Sequence, residues 1–118
     1  MKPFVPAVFA AVAFAASVSA ASAQTFNIAT MSPAEARQQM VQALYLSFTS
    51  QCKSAPITED ESKKLLDFSD TLARKLNLNA DQFEKDAEKQ VFDAWEKDEA
   101  AFCAKYGPQA KAYAKRIP

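Results

Sequence analysis

A chain of 118 residues with one glycine, Gly107, has few ways to fold as a sheet. Tight hairpins and phosphate-cradling loops both lean on glycine for backbone conformations with positive φ. Alanine, leucine, lysine, glutamate and glutamine fill the chain instead, and all are good helix formers. The sequence therefore reads as all-α: a small up-down-up three-helix bundle with a short C-terminal helical tail, preceded by an N-terminal signal peptide.

The helix starts announce themselves. Ser32-Pro33-Ala34-Glu35 is a capping box with proline at the first helical position, where its missing N–H costs nothing. The helix that follows, about 33–51, carries Met40, Val41, Leu44, Tyr45, Phe48 and Cys52 on one stripe. Pro56 breaks the chain. Thr58 and Glu61 form a second box, opening a helix over about 59–76 with Leu65, Phe68, Leu72, Ala73 and Leu76 facing inward. Glu59 and Asp60 stand four positions before Lys63 and Lys64. Asn79 and Gln82 form a third box, stapled by Leu78 and Phe83.

The third helix is expected over about 80–106, with Phe83, Ala87, Val91, Ala94, Trp95 and Phe102 on its stripe and Phe92, Cys103 and Tyr106 alongside. Asp98 and Glu99 interrupt that stripe, which points to a bend or a solvent-reaching stretch there. Gly107 reads as the residue just past the helix end, and Pro108 as the restart. Ala110, Tyr113 and Ile117 then mark a last amphipathic piece over about 109–116.

The N-terminus has the three-part layout of a secretory leader: Lys2, an apolar run from Phe4 to Ala16, and a small-residue ending at Ala21-Ser22-Ala23. Cleavage is expected after Ala23, with Ala20 as the alternative. About 13 strongly apolar residues are too few to span a bilayer core, which needs about 20. No cysteine adjoins the cut, so lipid attachment is not expected. Residues 24–31 read as a flexible leader and 32–118 as one helical domain. The short basic start and A-x-A ending look bacterial, placing the mature chain in the periplasm or the medium. Loss of Lys2 leaves 13 basic and 14 acidic residues, net −1, unlike the strongly basic balance of a nucleic-acid binder.

Two cysteines in an exported chain are expected to form a disulfide. In an up-down-up arrangement the C-terminal ends of the first and third helices share a pole; Cys52 ends one and Cys103 nearly ends the other. Closing 103 − 52 = 51 positions removes roughly 4 kcal/mol of unfolded-chain freedom on the chain-entropy model. Free or intermolecular thiols are the alternative. A two-cysteine metal site needs further ligands, commonly histidine, and the chain has none. A redox pair is usually C-x-x-C at a helix start, where the dipole lowers a thiol pKa.

Without histidine there is no Ser-His or Cys-His nucleophile pair, and no metal or cofactor is expected. Residues 81–99 hold eight acids and three bases, net −5. Asp98 and Glu99, beside Trp95 and Phe102, are the candidate carboxylate pair; the simpler account is a solvated helix face. Residues 105–118 hold four bases and no acid. Such a tail suits a helix C-terminus, or an interaction surface of Lys105, Lys111, Tyr113, Lys115 and Arg116 meeting a protein partner or an anionic envelope surface. Trp95 and Phe92 either fill the core or line a small apolar groove.

The whole plan, an exported helical chain of about 90 residues with one disulfide spanning about 50, resembles the small acid-stress chaperones of the bacterial periplasm. That resemblance is of architecture and carries no residue over. It implies a protein that loosens at low pH, and the acid-rich third helix would lose charge below about pH 4. Three functional expectations follow: a non-enzymatic periplasmic interaction or accessory protein, an acid-stress chaperone, and a small-ligand carrier or carboxylate-using enzyme.

Overall fold

A computed structural model describes residues 24–118, all of whose regular structure is helical. The expected signal peptide, 1–23, lies outside the described residues. Helix α1 spans Pro33–Ser47 and tightens into a 3₁₀ turn over Phe48–Gln51. Helix α2 spans Glu59–Lys75. Helix α3 is composite: Ala80–Phe83, a π-helical segment Glu84–Glu88, then Lys89–Lys97. Helix α4 spans Glu99–Lys115.

All three capping boxes form. Ser32 Oγ accepts from Glu35 N at 3.1 Å, Thr58 Oγ1 from Glu61 N at 3.1 Å, and Asn79 Oδ1 from Gln82 N at 2.8 Å. In each case the third helical residue returns its side chain to the cap's N–H. Helix α2 stops in a Schellman turn: Asn77 adopts φ 58°, Leu78 N donates to Ala73 O at 3.0 Å and Asn77 N to Arg74 O at 2.9 Å.

Helix α1 is the axis of the molecule, packing against α2, α3 and α4. Ser62 Oγ reaches Ser47 O and Ser69 Oγ reaches Met40 O, so α2 runs antiparallel to α1. Arg37 pairs with Asp86 while Phe48 meets Phe92, so α3 runs parallel. Tyr45 stacks on Tyr106 and Tyr113 donates to Gln39, so α4 runs antiparallel again. Met40, Leu46, Leu65, Leu72 and Val91 are fully enclosed among these faces. Each such side chain contributes on the order of 2 kcal/mol by leaving water. The buried Ser69 hydroxyl is satisfied by its 2.8 Å bond to Met40 O.

Two expectations are corrected. The first is the single helix over 80–106 with a separate tail at 109–116. The chain instead breaks at Asp98 (φ −165°, ψ 96°), whose Oδ1 accepts from Ala101 N at 3.0 Å and caps α4. Helix α4 then passes through Gly107 and Pro108 without stopping, so the bundle has four helices rather than three and a tail. Pro108 deletes one intrahelical donor and crowds the carbonyl a turn earlier. It sits on the exposed side of α4, and Gln109 Nε2 donates to Lys105 O at 2.9 Å nearby. Gly107 has no positive φ; it is buried, and a Cβ there would lie 3.7 Å from Pro56 Cγ.

The second is the flexible leader at 24–31. Phe26 and Met31 are buried, and Phe26 N donates to Arg116 O at 2.7 Å. The Phe26 ring packs against Phe68 and Tyr113, which holds the segment on α2 and α4.

Candidate binding groove

The two cysteines are joined, with Cα atoms 6.0 Å apart. They meet by a different route from the one their spacing suggests. Cys52 follows the 3₁₀ extension of α1, but Cys103 lies in the second turn of α4, near the start of that helix rather than near the C-terminal end of the third. Because α4 starts at Glu99 and runs back along α1, its beginning falls beside the end of α1.

The disulfide forms part of a groove of about 810 Å³ between the loop after α1 and the first half of α4. Pro56 borders one side and Trp95 the other, while Ala104 and Pro108 line it along α4. Lys53 and Glu99 also face it, one charge of each sign, so the groove has no net charge of its own. This volume lies within the range of ligand sites that are mostly apolar with a few polar groups.

Behind the groove stands an aromatic row. Phe48 meets Phe92 edge-on at 5.0 Å and Trp95 at 5.9 Å; Trp95 meets Phe102 at 5.2 Å; Phe102 meets Tyr106 at 4.8 Å; Tyr106 stacks on Tyr45 at 4.7 Å. The row ends in the open, with Phe92 50% exposed. Trp95 is half-buried, so it both packs on the core and lines the groove. Burial, then the neighbouring Tyr106 and Asp93, push the Tyr45 hydroxyl pKa above its ordinary value.

The five residues of the expected basic surface do not assemble into one. Tyr113 is buried, its hydroxyl donating to Gln39 Oε1 at 2.6 Å and its pKa raised by burial, with Arg116 opposing. Lys111 bridges to Glu61 on α2 at 3.1 Å. Arg116 lies over the Phe26 ring, 4.0 Å from its centroid. Lys105 rests 5.2 Å from the Tyr106 centroid, and Lys115 is exposed. Three of the five thus serve the fold.

The candidate carboxylate pair fares similarly. Asp98 spends its carboxylate on the α4 cap, and both Asp98 and Glu99 are exposed rather than enclosed. Among the described residues no cluster of three metal-ligating side chains occurs, and no helix is long and apolar enough to cross a membrane.

Sequence reasoning singled out Trp95, Phe92 and the cysteines but missed Pro56, Ala104 and Pro108. Small and cyclic side chains carry no chemical signal of their own; only the disulfide, once accepted, places their two segments side by side. Compared with known families, curated proteins and solved structures, the chain matches none.

Proposed function

We propose that the chain is an exported, non-enzymatic interaction protein whose binding face is the groove beside Cys52–Cys103 together with Phe92. The groove lined by Trp95, Pro56, Ala104 and Pro108 carries the reading, since a concave, mostly apolar surface suits an apolar partner, and the half-exposed Phe92, three residues before Trp95 on α3, adds to it. The opposite charges of Lys53 and Glu99 leave recognition to apolar contact, so the occupant is an apolar stretch of a partner protein. The exported setting rests on the leader-like N-terminus and agrees with the disulfide.

The test is photo-crosslinking in envelope extracts with a reactive residue at Phe92 or Ala104, and at Lys115 as control. One partner captured at both groove positions and not at Lys115, persisting in about 1 M salt, is expected, because apolar contacts are not screened. Loss of that partner in Phe92→Ser and Ala104→Glu completes the result. Capture at Lys115 that vanishes in salt overturns the groove in favour of the basic tail.

One observation favours the chaperone as a second reading. Phe102 and Tyr106 of α4 pack on Trp95 and Tyr45, so loosening of α4 in acid would uncover these rings. Failure to suppress client aggregation at about pH 2.5 eliminates this reading.

A further inference from the structure

The two walls of the groove are tied together by the disulfide. Cys52 stands where the loop wall begins and Cys103 on the α4 wall; both are half-buried and both line the groove. Little else holds that loop to α4. Among the described residues no hydrogen bond or ion pair joins residues 53–56 to the helix, and what remains is the apolar approach of the Pro56 ring to Gly107. The loop rejoins the core at Ile57, which is 5% exposed. Helix α4, by contrast, is anchored away from the loop. Gln42 Nε2 donates to Gln109 Oε1 at 3.3 Å, Lys111 bridges to Glu61, and Tyr113 donates to Gln39.

We propose that Cys52–Cys103 is a redox gate for the groove: reduction releases the loop wall and abolishes binding while the four helices stay packed. The proposal rests on the groove as the binding face. The reductant is a dithiol. Its thiolate attacks one sulfur of the pair, forming a mixed disulfide, and the other cysteine leaves as a thiolate and takes up a proton. The second thiol of the reductant, having lost its proton, then displaces the remaining cysteine. Two electrons pass to the pair, which ends as two thiols, and the reductant ends as a disulfide. A segment with few buried contacts and no hydrogen bonds to its neighbour opens at low cost once the crosslink is gone. The enclosed side chains Met40, Leu65, Leu72 and Val91 lie on helices and do not depend on it. Binding is thereby confined to oxidising surroundings, where the crosslink persists.

The experiment compares the oxidised chain with the Cys52→Ser, Cys103→Ser variant, which mimics the reduced form and leaves a partner's own disulfides alone. It is run at about 10 °C, near the top of a typical stability curve. Trypsin reads the loop at the Lys53–Ser54 bond and the core at Lys63 and Lys64 of α2. Cutting after Lys53 is expected to be at least about tenfold faster in the variant with α2 cut no faster, since local opening frees the loop alone. Oxidised wild type treated with dithiothreitol is expected to repeat that pattern. Photo-capture at Ala104 from envelope extracts is expected to be lost in the variant. Equal cutting after Lys53 in the two forms overturns the gate, and so does capture that survives in the variant. Faster cutting at Lys53 and in α2 alike also overturns it, because removing the crosslink then unfolds the whole domain. Absence of capture by the oxidised chain overturns the groove reading, and the gate with it.

Discussion

Glu61 and Lys111 meet across the seam between α2 and α4, the ammonium 3.1 and 3.2 Å from the two carboxylate oxygens. The same carboxylate accepts from Thr58 N at 2.9 Å. That backbone bond first, and Lys111 second, hold the Glu61 pKa below its ordinary 4.5. A group whose pKa falls on folding contributes stability above its unfolded value and loses it as pH drops through the folded value. The melting temperature is therefore expected to fall below about pH 4.5. Glu61→Gln keeps the cap but not the charge, so it should melt below wild type near pH 7 and converge with it in acid, the gap shrinking in high salt. Curves that stay parallel from about pH 7 to pH 3 refute this.

Removing the disulfide isolates its contribution. The Cys52→Ser, Cys103→Ser double variant is expected to lose roughly 4 kcal/mol, the chain-entropy value for closing 51 positions. Against a total of about 5–10 kcal/mol for a domain of this size, the variant should be marginal at body temperature. Urea unfolding of oxidised wild type against the double variant measures it; a difference under about 1 kcal/mol contradicts the expectation.

Asp98 separates α3 from α4 and caps the latter through Ala101 N. Asp98→Ala should cost about 1 kcal/mol in urea unfolding, whereas Asp98→Asn, an equally good cap, should stay near wild type. Equal losses in the two variants would show that the break is held by something other than the cap.

Asn77 closes α2 with φ 58°, a conformation that glycine adopts freely and β-branched residues resist. Asn77→Gly is expected to be neutral or to stabilise by about 0.5 kcal/mol, and Asn77→Val to destabilise by about 1–2 kcal/mol. Thermal melts that rank valine at or above glycine would be inconsistent with the Schellman turn.

The contrast among helix ends shows what a sequence can disclose. Ser32, Thr58 and Asn79 each have a partner three residues on, so the whole signal sits within four positions. Asp98 has Ala101 at that place and no staple, while the Gly107-Pro108 pair offers a louder local stop nine residues later. What overrides it is tertiary: Gly107 packs beside Pro56, and Ala110, Tyr113 and Ala114 bury themselves beyond it. A leader with Phe26, Ile28 and Met31 shows no helical period, so its docking rests on contacts with α2 and α4 that only the fold brings near. The basic tail misleads for the same reason, because Glu61 comes from α2 and cancels Lys111 in space but not in sequence. Pairing of Cys52 with Cys103 was legible from counting alone, though the helix that delivers Cys103 was not.

The hydrogen bond from Phe26 N to Arg116 O also places the two ends of the described chain shoulder to shoulder. The polypeptide is nearly a ring with a nick. A circular permutant, with Pro118 tethered to Gln24 by a few flexible residues and new termini opened in the turn at Asn77, would preserve every helix and the crosslink. Affinity tags fused at residue 24 or residue 118 of the described chain, by contrast, would crowd the same small patch of surface.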